Sequence, residues 1–242
     1  MAARVDVRAV ARVPGPTGLA VVTLSDDGEN TIVVVPGAKA SVTPTQIDSA
    51  ELAIRSARVC QLQAEIPLAA LEDIDEIAET HAVRVILNVA PACHLPLATL
   101  RLTDPLVVNE HEAALLQGWL DATGPEGQQE QSQPNRNPMP PSDHATALNA
   151  TCALQAHGVP SAVIALGRDG VVGAGPDGEW ALPARVVPVP DTTGAGDALV
   201  GALAARLHGS DSAWSSHPES RRIPRDPQIR PRTRSSPSLR HP

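Results

Sequence analysis

The sequence of 242 residues contains no Phe and no Tyr and only three Trp, so aromatics make up 1% of it. Proteins that grip single-stranded nucleic acid stack bases on aromatic rings. Carbohydrate-binding modules built on ring faces need the same side chains, and neither class fits. Three cysteines (Cys60, Cys93 and Cys152) are too few and too scattered for a disulfide framework or a zinc signature, which suits a reduced, cytoplasmic protein. No apolar run approaches the ~18 residues that span a bilayer. The first residues carry charges at Arg4, Asp6, Arg8 and Arg12 with no apolar stretch between them, unlike a signal peptide. Positive charge is also short, with 19 basic residues against 27 acidic ones and a net charge of −8. That balance argues against a general binder of nucleic-acid backbones and gives no reason to expect a membrane partner.

What is present is aliphatic. Hydrophobic residues make up 42% of the chain, so a core must be built from Ala, Val, Leu and Ile, in one α/β domain or two small ones. The charge is uneven. Residues 1–208 hold 12 basic and 24 acidic residues, whereas residues 209–242 hold seven Arg and three acids among many Pro and Ser. That last segment lacks periodicity and large aliphatics, and is expected to be a disordered basic tail. A second stretch, 121–143, is rich in Gln, Pro, Asn and Gly and reads as a loop insertion.

Between these segments the pattern alternates. Thr17–Ser25 and Thr31–Pro36 flank Asp26-Asp27-Gly28-Glu29-Asn30 and read as a hairpin. Thr43-Pro44 marks a helix start. Strands are expected at Val59–Gln63, Val83–Asn88, Pro105–Val108, Ser161–Leu166 and Arg185–Val189. Helices are expected at Pro67–His81, Leu95–Leu102, Glu110–Leu120 and Ala145–His157. Pro176-Asp177-Gly178 reads as the turn of a later hairpin. Continuous apolar strands alternating with helices predict an α/β/α three-layer domain with a mostly parallel sheet. The leading hairpin is expected to lie outside that sheet. The expected organisation is a partial β lid over 1–42, an α/β domain over 43–208, and the tail over 209–242.

The string Asp191-Thr192-Thr193-Gly194-Ala195-Gly196-Asp197-Ala198 sits between an apolar strand and an amphipathic helix. Its glycines permit close backbone approach, and the amides of Gly194, Ala195, Gly196 and Asp197 at a helix start form an anion site. A carboxylate beside such a site is placed to take a proton from an alcohol while phosphoryl charge develops. No Gly-Lys-Ser/Thr follows, so this is not a Walker A loop.

This string, followed by Leu-Val-Gly-Ala-Leu, resembles the signature of the ribokinase-like (PfkB) sugar-kinase family. Pro16-Thr17-Gly18, Asp27-Gly28-Glu29-Asn30 and Pro36-Gly37-Ala38 resemble its lid hairpin. Gln63-Ala64-Glu65-Ile66-Pro67, Leu87-Asn88-Val89-Ala90-Pro91, Asn109-Glu110-His111-Glu112 and Leu166-Gly167-Arg168-Asp169-Gly170 match further stretches in order, so the resemblance covers residues 16–207. It implies ATP-dependent phosphorylation of a pentose, D-ribose to D-ribose 5-phosphate, with Mg²⁺ and K⁺, and a homodimer joined through the lid.

Residue by residue, it implies that Asp197 is the general base and touches the sugar, and that Gly194, Ala195 and Gly196 supply the anion hole. Glu65 would bind sugar hydroxyls. Asn109, Ala165, Leu166, Gly167, Arg168, Asp169, Gly170, Gly196 and Asp197 would contact ATP. Glu112 would position Mg²⁺ through water, and Asp191 and Thr193 would hold K⁺. Ala165 stands where the family has Thr or Ser, and Lys39 where it has Asn. The family's N-terminal sugar motif and C-terminal adenine loop have no counterpart in the sequence, which implies a chain truncated at both ends, with a frameshift after Leu207. A related sugar or nucleoside as substrate, and a remnant without activity, are the alternative readings.

Overall fold

The structure is a computed structural model and describes residues 5–24, 30–123, 139–187, 192–209 and 221–222. The hairpin forms from β1 (Leu19–Leu24) and β2 (Asn30–Val35), antiparallel, with Leu19 opposite Val35. It pairs with no other described strand, as the sequence pattern predicts; of its expected turn, 26–30, residues 26–29 lie outside the described residues and Asn30 begins β2. The Ala38 N–H donates to the Pro16 carbonyl at 3.0 Å and closes the root of the hairpin. The turn Gly37–Ser41 then leads into α1 (Pro44–Arg55). Thr43 precedes this helix in extended backbone, and its N–H donates to Gln46 Oε1 at 2.8 Å, which satisfies one amide at the entry to the helix.

The main sheet follows. β3 (Val59–Gln63), β4 (Arg84–Asn88), β5 (Thr103–Asn109) and β6 (Ala162–Ala165) lie side by side and parallel. α2 (Leu68–Thr80) and α3 (Leu97–Leu102) connect the first three strands; α4 (Glu110–Thr123) and α5 (His144–Ala156) lie between β5 and β6. β7 (Val171–Gly175) and β8 (Gly178–Leu182) extend the sheet antiparallel, with their turn at the expected Pro-Asp-Gly. The backbone of β9 (Arg221–Arg222) pairs with β8 at Trp180 and Ala181. The remainder of the expected basic tail beyond Gly209 lies outside the described residues, as does 124–138 of the expected loop. Residues 121–123 of that loop continue α4 instead.

Strand alternation divides the core into two layers. Val85, Leu87, Leu106, Val108 and Ile164 face the α1–α5 side, packed with Leu71, Ile74, Leu100, Leu116 and Leu154. Ile86, Val107, Val163 and Trp180 face the other side, where α6 (Ala195–His208) lies with Val200 and Leu207 buried. The result is the expected three-layer α/β/α fold with a mostly parallel sheet. No described helix is long and apolar enough to cross a membrane.

One expected strand is not found among the described residues. Within Arg185–Val189, residues 185–187 are not strand, and Val186 and Val187 are exposed; 188 and 189 lie outside the described residues. β-propensity expresses a fit to a half-buried pleated surface. The outer edge of β8 is already paired with β9, and these valines have no sheet to lie on.

Candidate active site

Ligands of open α/β sheets bind at the edge formed by the C-terminal ends of the parallel strands. Gln63, Asn88, Asn109 and Ala165 end β3, β4, β5 and β6 here, and the register places Gln63 beside Asn88 and Asn109 beside Ala165. The residues singled out from the sequence therefore gather along one edge. Asn88 is structural: it is buried, and its Nδ2 donates to the Val107 carbonyl at 3.1 Å.

The start of α6 reaches this edge from the second face. Gly194 caps the helix at φ 77, a left-handed conformation that favours glycine. A Cβ there would meet nothing within 4 Å, so the demand on residue 194 is torsional. The Ala195 N–H donates to the Thr192 carbonyl at 3.1 Å, so this amide of the expected anion hole is spent on closing the turn. Gly196 and Asp197 occupy the first helical turn, where amides face away from the helix body and suit an anion. Thr193 through Asp197 are exposed.

Asp197 precedes Val200 by three residues, so it lies on the stripe that packs against the sheet. Gln63 faces the same way, because strand alternation turns Leu62 into the α1–α5 core and Gln63 to the opposite side. The two meet: Gln63 Nε2 donates to Asp197 Oδ1 at 2.9 Å. In the sequence Gln63 stands out only as the end of an expected strand and a neighbour of Glu65; its period-two position on β3 is the available signal.

Glu65 lies two residues beyond β3, anchored by the Ala64 N–H donating to the Asn88 carbonyl at 3.2 Å. Its Oε2 accepts from Lys39 Nζ, so an ion pair joins the root of the hairpin to the end of β3. Lys39 is the single basic residue between Arg12 and Arg55, and nothing in local sequence links it to a carboxylate 26 residues away.

Asn109 and Glu112 bond reciprocally at the start of α4. The Asn109 N–H donates to Glu112 Oε2, and the Glu112 N–H donates to Asn109 Oδ1, each at 2.8 Å. Burial pushes the Glu112 carboxyl above the ordinary carboxylate range, and the Asn109 N–H works against the shift. The segment from Ala165 to Gly170 forms a compact loop in which the Leu166 N–H donates to the Gly170 carbonyl at 2.8 Å. Leu166 is buried, whereas Gly167, Arg168 and Asp169 are exposed. His144 Nε2 donates to the Asp169 carbonyl at 2.8 Å and ties α5 to the loop. Gly170 has φ 99, and a Cβ on it would sit 2.1 Å from the Leu182 carbonyl oxygen, so the last glycine of Leu-Gly-x-x-Gly is required twice over.

Among the described residues, no group of three or more His, Cys, Asp or Glu side chains converges as a metal cage. A single carboxylate such as Glu112 suits Mg²⁺ carried mainly by phosphates and water. Asp191 lies outside the described residues, and Thr193 is the described member of the expected K⁺ pair.

The chain resembles known proteins along most of its length. It is 37% identical over 191 residues to the bifunctional ribokinase/ribose-5-phosphate isomerase A of Fructilactobacillus sanfranciscensis, covering 79% of this chain and 32% of that protein. It is 36% identical over 194 residues to the ribokinase of Staphylococcus aureus, covering 80% and 57%. It thus spans about half the length, or less, of these curated relatives. Among solved structures, Arabidopsis thaliana ribokinase complexed with ribose and ATP superposes with a TM-score of 0.63 at 27% identity, over 83% of this chain and 59% of that one. Residues 1–213 match the description "pfkB family carbohydrate kinase", and the chain belongs to that family.

Proposed function

We propose that this chain transfers the γ-phosphoryl group of ATP to the primary hydroxyl of a pentose, D-ribose to D-ribose 5-phosphate. The observation that carries the proposal is the placement of Asp197 in the exposed first turn of α6, directly after the left-handed Gly194, with one carboxylate oxygen held by Gln63. Asp197 takes the proton from the sugar hydroxyl, the hydroxyl oxygen bonds to the γ-phosphorus, and the bond to the β-phosphate oxygen breaks to release ADP. Amides at the start of α6 stabilise charge on the transferred group, an effect of roughly 10²–10³ per donor in rate. The ribokinase bound to ribose and ATP supports this choice of substrates, since its fold is shared here.

Glu65, held on one oxygen by Lys39, offers the other to sugar hydroxyls. The loop from Ala165 to Gly170 lines the nucleotide, and Asn109 contacts its phosphates. Mg²⁺ bound with ATP neutralises phosphate charge, and Glu112 would hold it through water. Asp191 and Thr193 would hold K⁺. The hairpin is read as a lid over the sugar. Leu19, Val21, Ile32 and Val33 are 48–59% exposed, which supports a second copy as the partner of the lid. A donor as abundant in cytoplasm as ATP favours that compartment.

A coupled ADP-release assay with ribose, with and without K⁺, tests the reading. Asp197→Asn is expected to lower kcat by about 10²–10⁴-fold with an unchanged melting temperature. Equal turnover in the two proteins refutes it.

A further inference from the structure

We infer that Gln63 is a positioning residue for the base, a role that rests on the reading of Asp197 above. Their side-chain hydrogen bond joins the end of β3 to the first turn of α6: Nε2 to Oδ1, 2.9 Å, across 134 residues of sequence. Its geometry is set from both sides. On β3, Gln63 is fixed by the parallel register with Asn88 and by the bond from Ala64 to the Asn88 carbonyl. On α6, Asp197 continues the apolar stripe of Val200 and Leu207 toward the sheet.

A primary amide suits this place. It donates to one carboxylate oxygen without adding charge, so Oδ1 is occupied and Oδ2 is left to face the hydroxyl. A Glu at position 63 would set a second carboxylate against the base, and a Leu would fill the same space with no donor. Misplacing a reacting group by about 1 Å costs up to roughly 10²-fold in rate. The expected signature is therefore a loss in kcat without a matching loss in binding.

Two measurements test the inference. In ¹⁵N-labelled protein, the Gln63 side-chain amide signal is assigned by its disappearance in Gln63→Leu. It is expected to move when Asp197→Ala removes the acceptor, whether or not the chain turns over. A signal that does not respond overturns the inference. In the ADP-release assay, Gln63→Leu is expected to lower kcat by about 10–100-fold, with KM for sugar and for ATP within twofold of wild type. In an Asp197→Ala background, the same change is expected to have less than a twofold effect. A kcat unchanged in Gln63→Leu, or effects that multiply in the double variant, overturn the positioning role while the kinase reading stands. Turnover that survives Asp197→Ala refutes the base itself.

Discussion

Asp75 is the buried charge that the proposed chemistry does not use, and its removal should change how stability depends on pH. It lies in α2 with 4% of its surface exposed, and neither carboxylate oxygen makes a well-formed hydrogen bond. Burial pushes its pKa from 3.8 up to about 6; the Thr99 side chain opposes the shift, and Glu72 and Glu79 add to it. The same charge helps to push the Cys60 thiol to about 11, though burial is the larger cause there. A rise of about two units corresponds to about 3 kcal/mol at 1.36 kcal/mol per unit.

The sign follows from the direction of the shift. The folded state binds this proton more tightly than the unfolded state does, so Asp75 costs nothing when both are protonated, well below pH 3.8. Stability then falls as pH rises toward 6, and the full cost applies above that. Asp75→Asn removes the charge at every pH. Its amide still lacks partners, at a cost of about 1–3 kcal/mol that does not vary with pH. Urea unfolding, followed by Trp fluorescence at several pH values, gives the difference in unfolding free energy between variant and wild type. That difference should climb in the variant's favour by about 2–3 kcal/mol from pH 4 to pH 7.5. Other titrating groups are common to both proteins and cancel. Parallel curves across this range would refute the account of Asp75 as a carboxylate that ionises at the expense of the fold.

Two further substitutions separate backbone demand from side-chain chemistry. Gly170→Ala meets both a positive φ and the Leu182 carbonyl at 2.1 Å, whereas Gly167→Ala meets only a φ of 52 with nothing within 4 Å. The first should destabilise by more than about 2 kcal/mol and the second by about 1 kcal/mol; equal melting temperatures would contradict the close approach. Lys39→Met removes a partly exposed ion pair that contributes less than about 1 kcal/mol of stability, yet it frees Glu65 from its orientation. KM for the sugar should rise severalfold with KM for ATP unchanged, and a change confined to ATP would place Glu65 elsewhere in the reaction.

The fold was legible where one physical effect dominates. The apolar runs around Val85-Ile86-Leu87 and Val107-Val108 bury both faces of their strands, as strands of a sheet covered on both sides do. The Pro-Asp-Gly turn and the Thr43-Pro44 helix start follow from local backbone preferences, and both are present. Val186 and Val187 misled because β-propensity is redeemed only by a partner strand. The end of α4 was missed because Asp121, Ala122 and Thr123 carry no apolar signal of their own. At the site, the glycines and Asp197 form one contiguous string that could be read directly. Gln63 and Lys39 could not, because their partners are distant in sequence and only the assembled sheet brings them together.

The way α6 is held shows why the contact at Gln63 matters to the position of the base. Val200 and Leu207 are its buried anchors, with Leu199, Leu203 and Ala204 partly buried beside them, against Ile86, Val107, Val163 and Trp180 of the sheet. All of these anchors lie C-terminal to Asp197. At 1.5 Å of rise per residue, the base stands about 4.5 Å beyond Val200, the first fully buried one. Apolar packing is non-directional; it sets the distance of the helix from the sheet but fixes rotation at the overhanging turn only weakly. Upstream, Gly194 interrupts the chain with a left-handed residue and gives the turn no side chain with which to pack. A directional bond at Asp197 itself supplies the missing constraint, and Gln63 is the described residue that makes it.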